Sequence, residues 1–113
     1  MDVRWLEKNG RRCLYFLFEE QLTEQSAKEG VKKWEKLCDG HSDKIHIIWD
    51  CTFMKGYDTG ARVIWNEELK KMKNSIEVVW LISTSTLIKM GASILSMFMP
   101  FKIIPVSSEQ EIT

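Results

Sequence analysis

The segment best suited to chemistry is Gly56–Arg62, with the sequence Gly-Tyr-Asp-Thr-Gly-Ala-Arg. Asp58 is a good helix N-cap, and the helix that it opens would present backbone amides and a partial positive charge. A docked anion, or a phosphate on Thr59, would be favoured at that end of the helix. Arg62, one turn further on, could pair with such a group. The segment is therefore a candidate anion-binding or modification site.

Two interpretations of this segment stay open. In the structural one, Asp58 caps the helix, the two glycines permit the turn, and Tyr57 packs over it as a lid. In the functional one, the segment docks a partner without being modified, because loops carry binding residues more often than strands do. The candidate partner-binding residues are Lys55, Gly56, Tyr57, Asp58, Gly60 and Arg62.

Other reactive side chains are too dispersed to predict catalysis or metal binding. Cys51 as a nucleophile paired with His46 is conceivable, but residues five apart along a strand and its following loop need not converge within hydrogen-bond reach. His41 falls in a polar loop, and no pair of ligands has the helical or turn spacing of a metal site. GxSxG, Walker A and GxGxxG motifs do not occur. We predict a protein that is not an enzyme and that uses no cofactor or metal.

The strands that position these residues are indicated by short apolar runs. Residues 2–7 alternate and meet Asn9-Gly10, a dipeptide typical of a tight hairpin turn before the apolar run 13–18. Residues 45–50 and 76–82 are β-branched and apolar, as in buried central strands. Residues 101–104 predict a last short strand.

Helical periodicity separates these strands. In the first helix the spacing of Ala27, Val31, Trp34 and Cys38 forms one apolar stripe, with Thr23 as N-cap and Gly40 at the far end. The third predicted helix, 87–99, is apolar on at least two faces, and Pro100 ends it. A short helical turn is expected from Ser108. The second helix follows Asp58, with inward residues Ala61, Ile64, Trp65, Leu69 and Met72 and solvent-facing residues Glu67, Glu68, Lys70 and Lys71.

Composition limits the class of protein. The 113 residues are 44% hydrophobic and 28% charged, which predicts one folded domain over residues 1–113 rather than a disordered chain. Sixteen basic and sixteen acidic residues leave a net charge of +0, without the basic excess of a nucleic-acid binder. Residues 90–101 are too short to span a bilayer, and the N-terminus does not resemble a signal peptide. Three widely spaced cysteines favour reduced thiols and a cytoplasmic location.

Four tryptophans fall at inward positions of the predicted elements, and the fifth does not. We expect Trp34, Trp49, Trp65 and Trp80 to be core residues. Trp5, on the edge hairpin, is expected to be the most exposed of the five.

The predicted order is β β α β α β α β, followed by a helical turn. Three successive β-α-β units imply right-handed crossovers and a mainly parallel sheet of four to five strands, with the first hairpin strand antiparallel at one edge. This order, with an acid at the end of the central strand and a capped helix after it, resembles the STAS family, the anti-sigma factor antagonists and their relatives in sulfate transporters. The STAS fold is also related to the lipid-carrying Sec14 (CRAL-TRIO) domains.

The resemblance also assigns a role to the loop. Bacterial members have an Asp-Ser-Ser-Gly motif at the start of the helix, and a partner kinase phosphorylates the second Ser. Tyr57 aligns with the Asp, Asp58 with the first Ser, Thr59 with the phosphoacceptor and Gly60 with the Gly. The resemblance therefore implies a divergent small bacterial regulator, with Thr59 as phosphoacceptor and a serine-kinase anti-sigma factor or another regulator as the protein partner.

The apolar third helix needs something to cover its second face. Methionines suit an adaptable surface, which could pack on the C-terminal turn, on a second copy of the chain or on an apolar ligand. We expect a cytoplasmic regulatory module that acts through protein contacts, with a homodimer as the favoured use of this helix. The alternative is a lipid or other small apolar ligand bound between the helix and the sheet. The residues of this face are Leu87, Met90, Ile94, Met97 and Phe98.

Overall fold

A computed structural model describes residues 1–113. The chain forms seven strands, three α-helices and two 3-10 turns, in the order expected from the sequence with two short strands added. The strands are β1 (Asp2–Lys8), β2 (Arg11–Leu17), β3 (Gln21–Leu22), β4 (Ile45–Asp50), β5 (Gly56–Tyr57), β6 (Ile76–Ile82) and β7 (Lys102–Val106). The helices are α1 (Glu24–Cys38), α2 (Thr59–Met72) and α3 (Thr86–Ser96), and the 3-10 turns are Lys73–Ser75 and Glu109–Glu111.

The main sheet has five strands in the order β1-β2-β4-β6-β7. β1 pairs with β2 antiparallel at one edge, and the other neighbours are parallel, as predicted. Each crossover moves one strand along in the same direction, so right-handed connections place all three helices on one face. The added strands β3 and β5 pair with each other in a separate two-stranded parallel sheet.

Each face of the main sheet has its own core. On the helix side, the rings of Phe16, Trp34 and Trp65 interlock, with centroids 5.2–5.7 Å apart. On the other face, Trp80 and its neighbours are covered by Ile112 from the C-terminal turn. Trp34, Trp49, Trp65 and Trp80 are all buried and Trp5 is only partly buried, as the sequence predicted.

The local signals at turns and caps are confirmed. Asn9 and Gly10 both have positive φ, 54° and 76°, as a two-residue hairpin turn of the mirror-image type requires. Thr23 caps α1, with its hydroxyl accepting from the Ser26 amide at 3.1 Å. Gly40 adopts φ 74° after α1.

Two boundaries and one orientation differ from the prediction. α3 ends at Ser96 rather than Met99, and the Ser96 hydroxyl then accepts from the Ile103 amide at 2.9 Å. β7 continues through Pro105, which an edge strand tolerates because one row of its backbone groups needs no partner. Glu68, expected to face solvent, is only 6% exposed because α1 packs along that side of α2. None of the helices combines the length and the apolar character needed to cross a membrane.

Candidate functional site

The start of α2 is fixed by a single carboxylate. Asp58 is its N-cap, with Oδ1 accepting from the Ala61 amide at 2.7 Å, while Oδ2 accepts from the Glu24 amide at 3.1 Å. One side chain therefore caps the first turns of both α1 and α2. The helix start is held by its own acid, as the structural interpretation of this segment expected.

Short backbone pairings hold the loop before α2. The amides of Lys55 and Gly56 both donate to the Glu20 carbonyl, at 2.7 and 3.3 Å. The Asp58 amide donates to the Leu22 carbonyl at 3.1 Å. This β3–β5 pairing leaves the Tyr57 ring half exposed above the surface.

Thr59 is the exposed first residue of α2. Its surroundings are acidic, because Asp58 precedes it and a side chain built at Gly60 would meet the Glu24 side chain at 3.1–3.2 Å. Arg62 lies on the next turn. The role of Thr59 as a phosphoacceptor stays a prediction, with two carboxylates close to where the phosphate would stand.

A cleft of about 580 Å³ opens between α2 and α3, at the carboxyl ends of β4 and β6. Its size is within the range of small-ligand sites, roughly 300–1,000 Å³. Fourteen of its twenty lining residues are hydrophobic, so the cleft would favour an apolar guest. Ring and aliphatic surfaces come from the strand ends of the sheet and the residue after β2 (Trp49, Leu81, Phe18), from α2 (Trp65), and from α3 and the residues after it (Leu87, Ile88, Ala92, Ile94, Leu95, Phe98).

The cleft has few polar side chains, and its charged ones are all positive. Lys55, Arg62, Asn66 and Ser85 line it, and no Asp or Glu does. Lys55 is 3.8 Å from Glu20, an exposed pair. The Arg62 side chain makes no hydrogen bond or ion pair within the chain. The cleft therefore combines an apolar interior with two cations.

The structure brings the two predicted surfaces together. From the loop, Lys55, Gly56, Tyr57 and Arg62 line the cleft; from the third helix, Leu87, Ile94 and Phe98 do so. Asp58, Thr59 and Gly60 lie beside it, at the start of α2. Met90 and Met97 are exposed on the outer side of α3. A second, shallow depression of about 340 Å³ is formed by side chains of α3 alone, including Met90 and Ile94.

Sequence reasoning missed the inner wall of this cleft. Phe18, Trp49, Trp65 and Leu81 were expected to be core, and each is buried, yet each also borders the cleft. The signal that could have located them is position, because Phe18, Trp49 and Leu81 lie at the carboxyl ends of neighbouring parallel strands. Ligands of α/β proteins bind at that end of the sheet.

The other reactive side chains are separated from the cleft or inert. His46 and Cys51 do not form a pair, because His46 alternates with the helix-side residues of β4 whereas Cys51 belongs to the helix-side core. Burial raises the pKa of the Cys51 thiol to about 12, with the Asp50 charge adding to the effect, so it is not a nucleophile near neutral pH. No group of three or more His, Cys, Asp or Glu residues could hold a metal ion.

Asp50, the acid at the end of the central strand, is structural in this arrangement. The Tyr15 hydroxyl donates to Oδ2 at 2.5 Å, and the Thr52 amide donates to Oδ1 at 3.1 Å. Burial and the adjacent carboxylate raise the pKa of the Tyr15 phenol above its usual value. The carboxylate therefore joins β2 to the loop after β4.

No family model and no curated protein matches the sequence. Among solved structures, the fold is similar to a protein from Shewanella loihica PV-4, described as an uncharacterised protein of the DUF3478 family with a SpoIIAA-like fold. The match has a TM-score of 0.87 and 15% identity, and it covers 97% of this chain and 88% of that one. The chain has the STAS fold. Within this STAS fold, the cleft lies where the central parallel strands end and the loop to α2 begins.

Proposed function

We propose that the protein is a non-enzymatic binding module whose cleft between α2 and α3 holds a small apolar ligand. The observation that carries this proposal is the cleft itself, about 580 Å³ in volume and lined mainly by hydrophobic side chains. Closing such a surface with an apolar guest gains roughly 25 cal/mol per Å² removed from water. The proposal also places the protein in the cytoplasm, where its three free cysteines would stay reduced.

Nile red, a neutral dye that becomes fluorescent in apolar surroundings, tests the proposal without involving charge. The wild-type protein should bind the dye and enhance its emission, and the Gly91→Phe variant should not. Gly91 lines the cleft, and a Cβ built on it meets nothing within 4 Å. Because a Cβ is accommodated there, we expect Gly91→Phe to place its ring in the cleft and to compete with the dye.

The matched control is Gly91→Ala, which leaves the cleft open and should retain dye binding. Circular dichroism of both variants checks that α3 stays folded. Equal dye binding by wild type and Gly91→Phe, or none by either, would contradict the proposal.

A second candidate function is protein docking on the outer side of α3 and on the Lys55–Arg62 loop. The observation that favours it is the exposure of Met90 and Met97, which are 56% and 80% exposed. Exposed apolar patches on folded proteins often mark interaction surfaces. In this role the module would act as a regulator, and its partner would be another regulatory protein or a second copy of the chain.

Sedimentation velocity at micromolar concentration tests the homodimer. A dimer that reverts to monomer in Met97→Lys would support this use of α3, with the exposed Lys73→Gln as control. A monomer throughout the concentration range would remove it. Phosphopeptide mapping of protein from its native cells tests Thr59 separately.

A further inference from the structure

We infer that the cleft ligand is a single-chain amphiphile with a carboxylate head, a long-chain carboxylic acid, and that Arg62 binds the head group. The inference rests on the proposed function and specifies the chemistry of its ligand. It depends on the distribution of charge around the cleft, which the volume alone does not describe.

No acidic side chain lines the cleft. Twenty residues line it, two of them are cations, and none is Asp or Glu, although the chain as a whole carries equal numbers of acids and bases. The carboxylate of Asp58, the N-cap of α2, already accepts from two backbone amides. An anionic head group would therefore meet attraction at this cleft without competition from a lining carboxylate.

The two cations of the cleft differ in how far other groups of the chain compensate their charge. Lys55 lies 3.8 Å from the Glu20 carboxylate, so part of its charge is compensated. Arg62 has no acid within 4 Å, and its guanidinium donates no hydrogen bond to another group of the chain. A guanidinium binds a carboxylate through two parallel hydrogen bonds, a geometry that an ammonium cannot offer. Arg62 is the fourth residue of α2, so its side chain lies near the N-terminal end of the helix, where the dipole favours negative charge.

The rest of the cleft suits the body of the ligand. Beyond the cations, the lining residues with a neutral polar side-chain group are Asn66, Ser85 and Tyr57, and the other lining side chains are aromatic, aliphatic or sulfur-containing. Such a surface has few groups to recognise a polar ring or a sugar. It suits a hydrocarbon chain, for which burial of each CH₂ contributes about 0.8 kcal/mol.

Displacement of Nile red by decanoate and by decanol, at pH 8 and below their aggregation limits, tests the inference. The two compounds have the same chain and differ in the head group, which is ionised only in decanoate. For the wild type, decanoate should displace the dye at about a tenfold lower concentration than decanol, as expected for a charge-assisted pair. Arg62→Gln should remove this preference while leaving displacement by decanol unchanged.

Lys70→Gln is the matched control, since Lys70 is an exposed cation on the same helix outside the cleft and should leave the preference intact. Equal displacement by decanoate and decanol would overturn the inference and leave the proposed function standing. A full preference retained by Arg62→Gln would overturn the assignment of Arg62. Failure of both compounds, together with dye binding that Gly91→Phe does not affect, would overturn the inference and the proposed function alike.

Discussion

α1 and α2 bury their large side chains against the sheet and against each other, whereas α3 leaves most of its own exposed. Trp34 of α1 is fully buried, and Trp65 of α2 contacts four other aromatic rings. α3 has one buried residue, Ala92. Met97 and Phe98, which directly follow its last residue, are 80% and 75% exposed. The helix with the most apolar sequence is thus the least buried.

Apolar content does not by itself place a helix in the core. Two tryptophans from neighbouring helices, Trp34 and Trp65, pack on each other and on Phe16 of the sheet. α3 packs mainly over the edge strand β7 through a small residue, and the space between it and α2 stays open as the cleft. The apolar surface of α3 is therefore available to a guest or a partner.

The largest expected effect is a difference in how much α1 and the end of α3 contribute to the free energy of unfolding. Trp34→Ala should lower the free energy of unfolding by about 3–5 kcal/mol, because it removes a fully buried ring from the aromatic cluster. Phe98→Ala should change it by less than about 1 kcal/mol, since that ring is mostly in water already. Urea unfolding of both variants measures the contrast. Comparable losses would mean that α3 belongs to the core after all.

A second test uses Glu68, an acidic side chain buried between α1 and α2. Burial, followed by the negative charge of Glu35, raises the pKa of Glu68 to about 7, while Lys71 opposes the shift and Cys38 also faces the carboxyl. One Glu68 oxygen has no hydrogen-bond partner. Between about pH 4.5 and pH 7 the folded state keeps a proton that the unfolded state has released, so stability falls as pH rises through that window.

Glu68→Gln should remove this loss. We expect the variant to be more stable than wild type by about 1–3 kcal/mol at pH 8 and nearly equal to it at pH 5. Glu67→Gln, on the exposed face of the same helix, is the control and should be close to neutral at both values. Denaturant titrations at the two pH values measure the difference. A Glu68→Gln variant less stable than wild type at pH 8 would show that the charged form is favoured in the fold.

Local chemistry explains which parts of the structure the sequence could predict. Asn9-Gly10, Thr23 and Asp58 act through bonds to their own neighbours, so their turn and caps were predictable. The parallel sheet followed from strands alternating with helices. β3 and β5 have two residues each, too few for a periodic signal, and their pairing joins residues far apart in the chain, such as Gln21 and Gly56.

The cleft could be predicted from the sequence only in part. Loop 55–62 and helix 87–98 were predicted as separate surfaces, because no local pattern fixes the distance between α2 and α3. Trp49 and Trp65 were predicted as core because they are apolar. Both are buried, but their apolar character does not indicate that a cleft lies beside them. Glu68 was predicted as exposed because its place in the helical repeat gives no information on how closely α1 approaches.

The smallest expected effect comes from the same substitution, Gly→Ala, made in α1 and in α3. Gly30 in α1 and Gly91 in α3 are both helical, and replacing either with Ala gains about 0.5–1 kcal/mol of helix propensity. At Gly91 the new methyl group meets nothing within 4 Å. Gly91→Ala should therefore raise the free energy of unfolding by nearly the full amount.

At Gly30 the methyl group would meet the Met1 side chain and lie 3.3 Å from Cζ3 of Trp65. The Met1 side chain can move aside, but the Trp65 ring is held by Phe16, Phe18, Trp34 and Trp49, with centroids 5.4–6.1 Å away. Displacing it disturbs a close-packed cluster, so the gain in propensity should be cancelled or reversed. Thermal and urea unfolding of the two alanine variants measure the sign. An equal gain at both positions would mean that α1 and α2 pack as loosely as α3. The methyl group at position 30 would then be accommodated beside Trp65 without loss of stability.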